Sequence, residues 1–247
     1  MKQLIKKLFA PIFLVCLCVV SLTGCEKAVA LDVKVGDAAF SLRDTISSLY
    51  DQGLCIVEGL DKKVELSDLG TLTSRTKSMD IYSIGAPKED GVGFTGIYVY
   101  VYNDGLKEAS IGDCQIYRIT YSNRNKVYDG DIYFGDIHMD DTKPSDALDK
   151  MDALGIALRD KDKENTDKFC SDESGYFVLK RIGNLMYELK SNVSYSEPEE
   201  IDYTQYTDEN GDIDYEAYEA AMEEAQAAVT SELYVTEFEY EYILKTN

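Results

Sequence analysis

Six oxygen-bearing side chains near the C-terminus, Asp208, Asn210, Asp212, Asp214, Glu216 and Glu219, fall at positions 1, 3, 5, 7, 9 and 12 of a twelve-residue stretch. Those are the ligand positions of an EF-hand loop, whose oxygens wrap one calcium ion. Position 6 of such a loop needs glycine for its sharp turn, and here it is Ile213. The apolar spacing beyond it also predicts a helix that starts before the loop would close. The stretch from Asp208 to Glu219 therefore reads as a charged loop running into a helix, and no metal is assigned. A second pattern, Gly91-Val92-Gly93-Phe94-Thr95-Gly96, spells the dinucleotide fingerprint. That fingerprint works only between a strand and a helix whose N-terminus receives the pyrophosphate. Here Pro87 and charges precede it and a strand pattern follows, so it reads as a glycine-rich turn with no cofactor. The single histidine, His138 in His138-Met139-Asp140-Asp141, builds no multi-histidine metal site and reads as a surface turn leading into a helix. No Gly-x-Ser-x-Gly nucleophile elbow occurs. With 46 acids in 247 residues any two carboxylates will be neighbours, so no pair stands out as a glycosidase dyad. No catalytic residue is assigned.

The side chain with the best-defined chemistry is the thiol of Cys25. Lys2, Lys6 and Lys7 precede an uncharged segment over residues 8–22, the layout of a secretory signal. The apolar run is shorter than the ~20 residues that span a bilayer, and Pro11 weakens it further as a helix. It ends in Leu22-Thr23-Gly24-Cys25, with small residues just before a thiol. This ending resembles the lipobox of bacterial lipoproteins. The resemblance covers residues 1–25 and implies transfer of diacylglycerol to the Cys25 sulfur, then cleavage after Gly24. It places the mature protein on the extracytoplasmic face of a cell membrane, held there by lipid. Residues 1–24 are then a signal peptide, and residues 25–33 a lipidated cysteine and tether. Durable attachment takes two or more acyl chains, which a diacylated cysteine supplies.

Removing the signal takes three of 25 basic residues and none of the 46 acids, leaving 22 − 46 = −24. A body so acidic is repelled by nucleic acid and does not lie flat on anionic lipid. Of six cysteines, Cys16 and Cys18 leave with the signal and Cys25 carries lipid. Cys55, Cys114 and Cys170 remain, an odd number at long unrelated spacings that fits neither a disulfide framework nor a zinc site. Cys55 and Cys114 lie in apolar, strand-like stretches and read as buried thiols, with one disulfide left open as an alternative.

The elements follow an α+β pattern of antiparallel sheet with two or three helices. A first helix is expected with Ser41 as N-cap, Leu42, Ile46 and Leu49 on one face, and Gly53 at its end, followed by a strand over 54–57. Residues 97–102 form the best strand. Ile97, Val99 and Val101 point one way and Tyr98, Tyr100 and Tyr102 the other, so both faces carry bulk and a central place in the sheet is expected. Asn103-Asp104-Gly105 marks a turn, and strands at 107–110 and 114–121 are expected to pair with the central one. Further strands are expected at 126–128 and 131–137. A second helix runs from Thr142 or Pro144 to Leu154, on an apolar stripe of Ala147, Leu148, Met151 and Leu154, with a strand expected at 156–158. A hairpin turns at Gly183-Asn184. From Ser191 to Leu244 there are 16 acids and no Lys or Arg, with a helix at 214–233 and a final strand alternating tyrosine or phenylalanine with Glu237, Glu239 and Glu241.

Ile46, Leu49 and Gly53 recur as Leu148, Met151 and Gly155 at an offset of 102 residues, each helix preceded by a Gly-Asp pair, Gly36-Asp37 and Gly135-Asp136. This reads as a duplicated helix-then-sheet unit, residues 34–134 and 135–247. With Thr142, the helix and Leu154-Gly155, the second copy resembles the β-lactamase-inhibitor-protein-like repeat of bacterial envelope proteins, though without that family's Gly-Met-Thr start. The resemblance implies a binding module. The expected function is thus a membrane-anchored interaction protein for an envelope protein, peptide or glycan. The alternative is a carboxylate-dependent hydrolase of envelope polymers, marked by two converging carboxylates, one with a raised pKa. A solute-binding lipoprotein is disfavoured, since the chain lacks the regular strand–helix alternation of two clamshell lobes.

Overall fold

The computed structural model describes residues 29–158, 163–171, 175–195, 200–207 and 211–244. Cys25 and the signal segment lie outside the described residues, as do Asp208 and Asn210. The chain enters as a hairpin, β1 (Val33–Val35) and β2 (Ala38–Phe40), then α1 (Ile46–Asp51), β3 (Cys55–Glu58), β4 (Lys62–Lys63) and β5 (Thr71–Leu72). Long strands follow: β6 (Tyr82–Lys88), β7 (Gly91–Tyr102), the short β8 (Ala109–Ser110) and β9 (Gln115–Ser122). A second hairpin, β10 (Ile132–Phe134) and β11 (Ile137–His138), leads to α2 (Pro144–Ala153) and α3 (Lys163–Phe169). The chain closes with β12 (Phe177–Ile182), β13 (Leu185–Tyr195), α4 (Tyr215–Ala227) and β14 (Ser231–Tyr242).

The strands form an eight-stranded sheet ordered β12-β13-β14-β9-β7-β6-β3-β4, a four-stranded sheet ordered β11-β10-β1-β2, and the pair β5-β8. Every strand pairing is antiparallel. The α+β expectation holds in outline, but sheet outweighs helix, 40% against 23%, and four helices are present among the described residues. The central place expected for 97–102 is found: β7 lies between β9 and β6, with Ile97, Val99 and Val101 fully buried and the alternating tyrosines half-buried.

One apolar core fills the space between the two sheets. Phe134 of β10 stacks on Phe238 of β14, with ring centroids 4.5 Å apart and planes 9° apart. Ile46 and Leu49 of α1, and Ala147 and Met151 of α2, are buried in the same core. Two buried tyrosines pin the start of the body. The Tyr187 hydroxyl donates to the Val29 carbonyl, and the Leu31 amide donates to the Tyr240 hydroxyl at 3.2 Å.

The two Gly-Asp pairs occupy equivalent places. Gly36 (φ +56°) turns β1 into β2, and Gly135 (φ +59°) turns β10 into β11, a left-handed backbone that glycine adopts without a Cβ penalty. The hairpins meet through β1 and β10, and the helices beyond them end alike. Leu54 N–H donates to Leu49 O at 3.0 Å after Gly53 (φ +85°), and Ile156 N–H donates to Met151 O at 2.8 Å after Gly155 (φ +79°). Both are Schellman-type closures with a buried apolar residue just past the glycine.

Several local expectations fail for identifiable reasons. Thr45, not Ser41, caps α1: Thr45 Oγ1 accepts from Ser48 N–H, and Ser48 Oγ accepts from Thr45 N–H, closing a capping box. Ser41 Oγ instead donates to Leu31 O, and its N–H is held by Asp44. The strand expected at 107–110 shrinks to β8 and pairs with β5 rather than β7, because the Asn103 amide diverts the chain by donating to Leu72 O and Lys107 O. Residues 126–128 are not a strand; Val127 and Tyr128 N–H both donate to the single Phe94 carbonyl. Residues 156–158 are likewise irregular, though Ile156 is buried. The last helix stops at Ala227, short of 233, because β14 takes the chain from Ser231 onward.

Candidate functional site

Strand register places four columns of side chains on the outer face of the large sheet, the face turned away from the core. Across β13, β14, β9 and β7 the rows read Lys190–Glu237–Ser122, then Glu188–Glu239–Thr120–Tyr98, then Met186–Glu241–Arg118–Tyr100. Adjacent strands lie about 4.8 Å apart, so each four-residue row spans some three strand spacings. All eleven side chains are half-buried: each leans on its neighbours and none is sealed in. A trough of about 320 Å³ runs across this grid. Tyr98, Tyr100 and Ile81 line one side, Glu188, Lys190, Glu237 and Glu239 the other, and the short side chains of Thr120 and Ser122 leave its middle low.

The charges in the grid are unequally matched. Arg118 Nη2 donates to Glu239 Oε2 at 2.6 Å, and the Arg118 guanidinium lies 4.8 Å from the Tyr100 ring centroid. Lys190 Nζ sits 3.2 Å from Glu237, which also has Arg124 at 3.9 Å. Glu188 has no hydrogen bond or ion pair among the described residues. Burial pushes its carboxyl above the usual range, the facing Glu239 adds to the rise, and Arg118 offsets part of it. The trough therefore holds one desolvated acid whose charged form lacks a cation of its own.

The residues singled out from the sequence sit elsewhere. The glycine pattern at 91–96 is not a turn throughout: Gly91 (φ +137°) closes the β6–β7 hairpin and the remainder is the first half of β7, with no helix after it. A Cβ on Gly96 would lie 2.5 Å from the Ser122 carbonyl, so glycine there permits close strand approach rather than phosphate binding. Asp214 serves as N-cap of α4 by accepting from Ala217 N–H at 3.1 Å, and Glu216 lies inside that helix, as does Glu219. The described part of the calcium-like stretch is thus a bend at Gly211, a bridge from Ile213 to Thr207, and then helix cap and helix.

His138 ends β11, stacked on Tyr133 at 4.6 Å with Asp131 and Asp141 within 3.3 Å of its two nitrogens. Beside it Asp140 takes φ +69°, and its Oδ2 accepts from the Tyr121 hydroxyl. Burial raises the Asp140 carboxyl, and Tyr121 and Lys126 partly offset the rise. Among the described residues no three His, Cys, Asp or Glu side chains converge as a metal site. Cys55 and Cys114 are buried free thiols, as expected, and Cys170 is free and exposed.

Sequence reasoning named Tyr98, Tyr100, Glu237 and Glu239 as strand residues, but it missed Arg118 and Glu188 and the assembly of all six. The available signal was the polar alternation Arg118, Thr120, Ser122 beside buried Ile119 and Tyr121. Comparison with known proteins adds no assignment: no family model matches the chain, and neither a curated protein nor a solved structure matches it. No helix of the described residues is long and apolar enough to cross a membrane.

Proposed function

We propose that this chain is a lipid-anchored binding module, on the extracytoplasmic face of a cell membrane, that presents the outer face of its large sheet to an envelope protein, peptide or glycan. The observation that carries the reading is the trough itself: aromatic rings, hydroxyls and carboxylates brought together on one open sheet face. Aromatic side chains with a polar tip supply contact area at low entropic cost and are favoured at recognition surfaces. The anchor is Cys25, in the lipobox-like Leu22-Thr23-Gly24-Cys25. Val29 is four residue steps further on, so a lipid there holds the start of the body within about 14 Å of the bilayer surface.

The equivalent hairpins and helix ends support a duplication of one hairpin–helix–sheet unit, in line with the envelope-repeat resemblance. The second hairpin begins at Ile132 and the first at Val33, so the proposed units start there rather than at residues 135 and 34. In that arrangement the closing strands of the units, β9 and β14, pair inside the large sheet, and the trough lies over their seam.

Two experiments test this. Replacement of Cys25 by serine should move the protein from membranes to the medium, and mass spectrometry of the native form should find an acylated Cys25 as first residue. A soluble form beginning at Glu26 should capture a component of envelope extract, and Tyr98→Ala/Tyr100→Ala should lose it. Capture unaffected by the double replacement removes the face from the reading.

A second reading, hydrolysis of an envelope polymer, is favoured by one observation: Glu188 and Glu239 are directly opposed across two strands, and burial raises the Glu188 carboxyl. A protonated acid beside a fixed carboxylate is the arrangement of glycoside hydrolysis. Turnover of cell-wall polymer by the soluble form, abolished by Glu188→Gln, would establish it in place of simple binding.

A further inference from the structure

We propose that the trough takes a primary ammonium group on an alkyl stem, a lysine side chain of a peptide partner, with the stem along Tyr98 and Tyr100 and the charge against Glu188. The proposal rests on the reading of this face as a binding surface and names what the surface binds.

The argument starts from what the trough already contains. Of its three pocket-lining carboxylates, Glu239 is held by Arg118 and Glu237 by Lys190. Glu188 is left facing another acid, half out of water. A buried charge without a partner is unfavourable, and the deficit is relieved by protonation or by an arriving cation. A neutral ligand leaves the deficit in place, and an anion worsens it.

The other wall supplies the surface for the stem. The methylene next to an ammonium carries part of its charge, and a tyrosine face attracts it through the ring quadrupole. Cations already lie against tyrosine rings nearby: Lys77 Nζ is 4.4 Å from the Tyr117 ring centroid, and the Arg118 guanidinium lies against Tyr100. Thr120 stands between the walls in the row Glu188–Glu239–Thr120–Tyr98, and its small side chain keeps the floor low enough for a stem to cross. Lysine's four-carbon stem lies along apolar surface while its ammonium seeks a carboxylate. Ile81, 54% exposed at the trough's edge, extends the apolar wall that such a stem would cover. A sugar instead needs several free donors and acceptors, and two of the three carboxylates here are already occupied.

The test is a low-salt calorimetric and NMR titration of the soluble form with Nα-acetyl-lysine methylamide, its uncharged norleucine counterpart, and glucosamine. Saturable binding of the lysine compound is expected, with shifts at Thr120 and Tyr98, at least tenfold tighter than the norleucine compound. Glu188→Gln should weaken it at least tenfold while leaving the thermal midpoint unlowered, and Tyr100→Leu should weaken it severalfold. Equal binding of the norleucine compound, or binding unchanged in Glu188→Gln, overturns the proposal. Tighter binding of glucosamine than of the lysine compound overturns the peptide source in favour of an amino sugar. If the lysine compound fails to bind but envelope capture still depends on Tyr98 and Tyr100, the cation assignment falls and the binding face stands. If capture ignores both tyrosines, the face falls as well.

Discussion

Phe134 and Phe238 lie face to face across the gap between the two sheets, the first on β10 and the second on β14. Phe238 also stacks on Tyr121 at 5.7 Å, and Phe134 meets Tyr240 edge-on at the same distance, so four rings from both sheets form one cluster. Phe134 is fully buried, and the cluster ties the small sheet to the strands beneath the trough.

Replacing Phe134 by alanine removes the ring from that cluster and leaves a cavity between layers that cannot close without moving a sheet. A loss of about 3–5 kcal/mol is expected, as for other buried Phe→Ala changes. Denaturant unfolding of the soluble form measures it. A loss under 1 kcal/mol would mean that the two sheets do not share a core.

The Arg118–Glu239 pair should be coupled, because both side chains are only partly exposed and Arg118 also lies on Tyr100. Removing Arg118 alone strands Glu239 beside Glu188, so Arg118→Met should cost more than Glu239→Gln. A double-mutant cycle should return a coupling of about 1–2 kcal/mol, above the 0.2–1 kcal/mol of exposed pairs. A coupling indistinguishable from zero would show that Arg118 does not organise the trough.

What could be read from the chain alone follows from which interactions are local. The alternation of Ile97, Val99 and Val101 with three tyrosines gave β7 and its central place, since both faces had to be covered. Gly53, Gly155 and Gly183-Asn184 marked chain reversals because their backbone geometry depends on the residues themselves. The cap of α1 was misplaced by four residues because two hydroxyls competed for the role, and the contact that decides it, Ser41 to Leu31, comes from ten residues upstream. The trough was illegible for a stronger reason. Glu188, Glu239, Thr120 and Tyr98 come from four strands, and only the register of β13 on β14, β14 on β9 and β9 on β7 puts them in one row. Local pattern fixes which face a residue takes but not which strand lies beside it.

Residues 196–230 leave the β13–β14 hairpin and return to it, with Tyr195 paired to Ser231. This arm carries twelve acids and no lysine or arginine, and the one buried side chain of α4 is Ala225. Replacing the arm by a short glycine-containing turn should therefore leave stability within about 1 kcal/mol, since its described residues are mostly exposed and such segments contribute little to global stability. It should also cut the net negative charge by twelve. Thermal unfolding of the shortened form decides this, and a drop of 10 °C or more would show that the arm is part of the core.

Glu188 makes a pH-dependent prediction whose sign runs opposite to that of most surface carboxylates. Its folded-state pKa lies above the ordinary glutamate value of about 4.3, because burial and Glu239 oppose ionisation more than Arg118 and Lys190 favour it. The folded state then binds more protons than the unfolded one through this window, so the contribution of Glu188 is fully present below pH ~4 and lost as pH rises through its folded pKa. Glu188→Gln removes that loss. At pH 7 the variant should unfold at a temperature higher by about 1–3 °C, the change that a fraction of 1 kcal/mol makes in a domain of this size, while at pH 3.5 the two should coincide. Relief of the repulsion between Glu188 and the facing Glu239 is part of the gain that the replacement brings. A saturating cation in the trough should close the gap at pH 7 by stabilising the wild type alone. If Glu188→Gln is the less stable form at pH 7, the ionised carboxylate already has the partner that the trough is proposed to await.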